Sequence, residues 1–174
     1  VHASPELFVI VGHPLKRSGT DANVPLRGLT PVALKVRPKV RIVEGRMFNP
    51  GTNEIVVGRA ASQQFQGLTV GSSVRWGASP WTVVGIFDAG GSVAESELWS
   101  DARVLQSAYR RGNSYQSVYA RLASVDDFQA FKDALTTNPR LQVTVIREPD
   151  YYSQQSQVLQ TVIRSVGFGI AFLM

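Results

Sequence analysis

Histidine, cysteine and clustered carboxylates carry most protein chemistry, and this sequence supplies few of them. It has no cysteine, which excludes disulfides, thiolate metal sites and a cysteine nucleophile. The only histidines are His2 and His13, both near the start and the first at what reads as a frayed terminus, so a triad or a zinc site has little to build with. Ser18, Ser62 and Ser92 lie near glycines, but none occupies the strand-to-helix elbow of a G-x-S-x-G nucleophile. Gly90-Gly91-Ser92 lacks the lysine and helix spacing of a phosphate loop. Two carboxylate sets remain. Asp126 with Asp127 fits the favourable end of a helix dipole. Glu95 with Glu97 offers two oxygen-rich groups to a divalent cation, but without further oxygen ligands nearby the pair reads as a solvated loop. The expectation is a non-enzyme, with no metal and no cofactor.

Charge is the next resource for recognition. The net charge of +5 is concentrated near the start: residues 1–59 hold nine Lys/Arg against four Asp/Glu, and residues 60–174 hold nine of each. Lys35, Arg37, Lys39 and Arg41 alternate with Val36, Pro38, Val40 and Ile42, so an extended segment would present one basic and one apolar face. Such a stripe suits anionic lipid headgroups or an acidic partner surface, and equally a plain solvated strand face. Aromatic stacking platforms are not interleaved with it, so nucleic acid is not an expected partner.

The elements that would position these groups follow from periodicity and punctuation. Leu7–Val11, Glu54–Gly58, Val70–Ser72, Ser73–Trp76 and Trp81–Phe87 read as strands, with a weaker one over Val24–Leu29. Arg59–Gln66 reads as a short helix capped by Gly67. Closely spaced strands with glycines at the corners predict a small, strongly bent sheet. Further on, a helix over Asp101–Arg111 ends at Gly112-Asn113, and Ser117–Leu122 is a strand. Ser124–Asp127 resembles a capping box leading a helix with Phe128, Phe131 and Leu135 on one face, and Leu141–Ile146 alternates as a strand. Strand, helix, strand at this length is the unit of a split βαβ sandwich.

At 174 residues and 44% hydrophobic content the chain is long enough and apolar enough to bury a core. Its first residues, Val1-His2-Ala3-Ser4-Pro5, show neither a basic region nor an apolar run, so no signal peptide is expected within it. Its last ones are unusual. Tyr151–Gln160 reads as an amphipathic helix, and Val162–Met174 continues apolar all round. A bilayer-spanning helix needs about 20 apolar residues, so this run is too short to span alone. It fits either the first turns of a membrane helix or a buried C-terminal helix.

The order of glycines and apolar runs between Val43 and Phe87 decides more than any single motif. Val43-Glu44-Gly45-Arg46-Met47-Phe48, Glu54-Ile55-Val56-Val57-Gly58, Phe65-Gln66-Gly67-Leu68, Val70-Gly71-Ser72 and Trp81-Thr82-Val83-Val84-Gly85-Ile86-Phe87 together resemble the extracytoplasmic core domain of MacB/FtsX/LolC-type ABC transporter permeases. Ala22–Leu29 before them, and Ser117–Leu122 and Glu148–Ser156 after them, extend the resemblance over nearly the whole chain.

The resemblance implies an α+β, two-lobed fold: a porter-like split βαβ lobe from residues 1–35 and 99–150, and an inserted strand-rich lobe from 36–98. Residues 151–174 would be a stalk helix leading into a second transmembrane helix. Gly45, Arg46, Phe48, Gly58, Gly67, Gly71 and Gly85 would be structural family positions, and Tyr151, Tyr152 and Gln155 would pack at the stalk junction.

The resemblance also implies a function. The chain would be the non-catalytic extracytoplasmic domain of a permease in the inner (plasma) membrane of a bacterium, coupling cytoplasmic ATP hydrolysis to movement outside the membrane. Its partners would be an ABC ATPase subunit, a second permease copy or paralogue, and a periplasmic adaptor or substrate protein. The alternative is a module that itself holds a lipid-linked, peptide or glycan ligand, with Trp76, Trp81 and Trp99 as apolar platforms. Three buried tryptophans would count against it.

Overall fold

The computed structural model describes residues 1–151 and 153, which fall into two compact units divided between 121 and 122. In the first, apolar runs form strands of one mixed sheet. They are β1 (His2–Pro14), β2 (Asp21–Leu29), β3 (Arg41–Gly45), β4 (Glu54–Gly58), β5 (Ser73–Trp76), β6 (Ser79–Asp88), β7 (Leu98–Asp101) and β8 (Ser117–Arg121). The order is β3-β6-β4-β7-β2-β1-β8, with β5 paired to β6. Helices α1 (Ala33–Val36), α2 (Arg59–Gln64) and α3 (Ala102–Ala108) and a 3-10 turn at Val93–Ser96 fill the connections. The fold is α+β.

The strand β1 is longer than its apolar run because it serves two neighbours in turn. His2–Glu6 pair with β8 and Leu7–Pro14 with β2. This division lets proline into the sheet, since a residue with no N–H is tolerated where a ladder is missing on one side. Pro5 faces only β8. Pro25 precedes the β2–β7 ladder, which begins at Leu26, and Pro80 precedes the β4–β6 ladder, which begins at Glu54 opposite Thr82.

The sheet is buried on both faces around β4. Ile55 and Val57 join Leu7, Leu26, Trp81 and Leu98 in one cluster, and Val56 joins Leu29, Phe87 and Trp99 in the other. Fully burying side chains of this size contributes about 1.5–3 kcal/mol each. The expected bend comes from bulges at Val43 on β3 and Val84 on β6, where the register shifts by one residue.

Strands from 36–98 share one sheet with β7, β2 and β1, and the compact units divide at 121/122. Two expected elements are redrawn. Val70–Ser72 is a turn, not a strand: Ser72 donates its N–H to Thr69 O and its hydroxyl to the same oxygen. The helix α3 ends at Ala108, well before Gly112.

The second unit contains α4 (Phe128–Thr136); its N-cap is Asp127, which makes no side-chain cap bond, and the expected Ser124–Asp127 box lies in the turn before it. Ser124 donates its N–H to Asp127 Oδ2 at 3.1 Å, and Asp126 donates its N–H to Ser124 Oγ at 3.2 Å. Phe128 carries the Arg147 guanidinium 4.5 Å over its ring. Leu141–Ile146 forms no strand, although it alternates. Alternation sets which side chains share a face, but a strand also needs a partner edge for its N–H and C=O groups, and this segment has no ladder among the described residues. Residues 148–151 and 153 are helical, and Tyr151 is half-buried there. Tyr152, Gln155 and the apolar run 162–174 lie outside the described residues.

Candidate functional site

The basic stripe does not form the face expected of it. Its segment closes on itself through turn bonds: Ala33 N–H to Thr30 O, Lys35 N–H to Val32 O, Arg37 N–H to Leu34 O and Val40 N–H to Arg37 O. Lys35 lies exposed on α1, Lys39 exposed in the following turn and Arg41 exposed at the start of β3. Local i to i+3 bonding and Pro38 override the period of two.

Arg37 instead turns inward to Glu6, which is fully buried on β1. Its Nη1 and Nη2 donate to Glu6 Oε1 and Oε2 at 2.6 and 2.7 Å. Arg27 on β2 makes the matching fork on Glu97, with Nε and Nη2 at 2.7 and 2.6 Å from Oε2 and Oε1. Arg27 Nη1 lies 3.5 Å from Glu6 Oε2, linking the two pairs. The Trp99 indole N–H donates to Glu97 Oε2 at 2.9 Å, and the Trp99 ring stacks on Phe87 at 3.8 Å between centroids. Both guanidiniums lie over Tyr119, Arg37 at 4.2 Å and Arg27 at 5.4 Å.

Two cations and two anions therefore neutralise one another in the interior, each fork satisfying the planar geometry of a guanidinium. Burial works against the charge on Arg27, but its hydrogen bond and attraction to Glu97 prevail and hold the group above its ordinary value. Arg37 behaves in the same way against Glu6. All four charges are occupied with one another, and what they do is tie β1, β2, β8, the end of α1 and the start of β7 together.

Glu95 and Glu97 are a correction. Both are buried rather than solvated. Glu97 belongs to the network, and Glu95 Oε1 accepts the N–H groups of Ala89 and Gly91, both at 2.8 Å. Among the described residues no cluster has the ligands for a metal ion. The tryptophan platforms are a second correction: Trp76, Trp81 and Trp99 are 6%, 0% and 0% exposed and build the core.

The glycine positions are places of close approach. A Cβ on Gly45 would meet Val84 O, one on Gly85 would meet Arg46 O, and one on Gly58 would meet the Glu95 backbone. Gly67 and Gly71 are exposed corners with φ of +61° and +89°. Arg46 is forked onto Glu54 at 2.6 and 2.7 Å, and Phe48 packs on the cluster around Trp99.

A family model described as the MacB-like periplasmic core domain matches residues 1–138. The chain belongs to that family. Among solved structures, this MacB-like core domain is similar to the extracellular domain of the noncanonic ABC-type transporter YknZ from Gram-positive bacteria. There the TM-score is 0.58 at 19% identity, over 75% of this chain and 70% of that one. It is also similar to the periplasmic region of MacB from Actinobacillus actinomycetemcomitans, with a TM-score of 0.57 at 14% identity over 89% and 75% of the two chains. At these identities the likeness is one of fold. Comparison with curated proteins gave no match.

One feature of the MacB-like core domain has no counterpart among the expectations. An open groove of 610 Å³ beside α3 is lined by Arg103, Gln106, Ser107, Arg110, Asn113 and Tyr115, among others. The available signal was negative: residues 102–125 contain four arginines and no acidic residue.

Proposed function

We propose that this domain is the extracytoplasmic part of an ABC transporter permease subunit in a bacterial plasma membrane. It carries movement rather than bond chemistry: ATP is hydrolysed on a separate or fused cytoplasmic subunit, and the domain shifts as a body against a second permease copy or paralogue. An adaptor or substrate protein outside the membrane would receive that movement. The family match over residues 1–138 carries the reading. A sheet whose interior charges are locked in bidentate pairs suits a body that transmits force without deforming. Tyr151, Tyr152 and Gln155 are proposed as the junction through which membrane-helix motion enters. The ligand-holding alternative loses its platforms with the burial of the three tryptophans.

Because the domain has no cysteine, Lys39→Cys places a single thiol at an exposed turn. In a full-length parent otherwise free of cysteine, a membrane-impermeant maleimide should label it in intact cells. Labelling only after lysis would overturn the placement. Spin labels at the same position in the assembled transporter should change their separation when ATP is added. A transporter that hydrolyses ATP with no such change would overturn the coupling role.

A further inference from the structure

The helix α3 ends in a Schellman arrangement: Arg111 donates its N–H to Gln106 O at 2.8 Å and Arg110 to Ser107 O at 3.3 Å. The position that glycine normally takes there is filled by Arg110 at φ 53°, the one non-glycine residue with left-handed backbone among the described residues. An arginine at this place is strained, and Gly112 nearby shows that the loop is not short of glycine. Arg110 lines the groove beside α3.

The rest of the loop is stapled under it. The buried Gln106 donates its side-chain N–H to Ser114 O at 3.0 Å, Ser114 Oγ donates to Arg111 O at 2.6 Å, and Gln116 donates its N–H to Glu6 O at 2.9 Å. The groove is thus shaped in advance. Neither Arg103 nor Arg110 has an ion-pair partner among the described residues. The nearest acid in sequence, Asp101, is buried and occupied in capping α3 through the N–H groups of Arg103 and Val104.

We propose that this groove docks an acidic, extended segment of a partner protein, with carboxylates on Arg103 and Arg110 and the peptide backbone against Ser107, Asn113 and Tyr115. The charge is one-signed and uncompensated, which selects an anionic partner. The site is an open trough rather than an enclosed cavity, and it mixes amide, hydroxyl and phenol groups with its two cations, which suits a polypeptide better than a small anion. The proposal does not depend on the transporter reading, and its failure leaves that reading intact.

The test uses the 174-residue chain and a fluorescein-labelled glutamate–serine repeat peptide, followed by anisotropy. Binding should weaken about tenfold in the Arg103→Glu, Arg110→Glu double variant, as expected from reversing two exposed ion pairs. Lys39→Glu with Arg41→Glu, on the other exposed basic segment, should leave it unchanged. Arg110→Gly gives a readout independent of folding damage: it should raise the thermal midpoint by relieving the backbone while weakening the peptide. Equal binding by wild type and the double variant would overturn the proposal, as would no binding at all. Displacement of the peptide by millimolar inorganic phosphate would reassign the groove to a small anion. Preferential, Arg103- and Arg110-dependent binding to phosphatidylcholine vesicles containing phosphatidylglycerol would reassign it to a membrane surface.

Discussion

Glu54 shows how much one exposed arginine can do to a carboxylate. The Arg46 fork lowers its carboxyl to about 2 from an ordinary 4.5, partial burial opposing the shift and the Asn49 N–H adding to it. Because the folded-state value is depressed, the unfolded chain takes up the proton first. The stabilisation is fully present above about 4.5 and is lost as pH falls through about 2. Glu54→Gln should therefore lower stability at neutral pH, with the difference from wild type closing across that window. The carboxyl carbon of Glu54, followed by NMR, should titrate near 2, and a midpoint near 4.5 would refute the pairing. Half of the Arg46 side chain is exposed, so the difference should also shrink in high salt.

Among elements, the Arg27–Glu97 pair joins β2 to the residue just before β7, and removing one partner leaves a buried charge alone. Arg27→Ala should cost about 3–5 kcal/mol in urea unfolding, whereas Arg27→Met with Glu97→Leu should cost much less because no charge is stranded. Equal losses in the two variants would show that packing, not the pair, sets the cost. This pairing also marks how far the sequence can be read. Apolar runs such as Glu54–Gly58 and Trp81–Phe87 announce their strands because burial on both faces demands continuous hydrophobicity. Arg37 could not be placed in the same way. Its partner Glu6 lies 31 residues away, and no local pattern tells a guanidinium that turns inward from one that stays in water. Glu95 and Glu97 failed for the same reason, since their ligands are backbone N–H groups and a distant arginine. Leu141–Ile146 failed in the opposite sense, having the pattern of a strand and no ladder among the described residues. The groove beside α3 was visible only as missing acid, and its shape rests on a backbone angle at Arg110 that residue type argues against.

For the first unit taken whole, Trp76 and Trp81 report on one face of the sheet and Trp99 on the other. Tryptophan emission should be blue-shifted, resist iodide quenching in the folded state, and change together with far-UV circular dichroism in one transition. Emission that moves at lower denaturant than the dichroism would mean that one cluster opens before the sheet does. The buried network also bears on how such a chain is made. A polypeptide emerging amino end first, from a ribosome or an export pore, delivers Glu6, Arg27 and Arg37 well before Glu97. Until then two guanidiniums share one carboxylate, and β2 has no β7 to lie against. The charge network and the β2–β7 ladder can therefore be completed only after Glu97 and the strand behind it have emerged, so the amino-terminal part alone lacks the buried bidentate partner of Arg27.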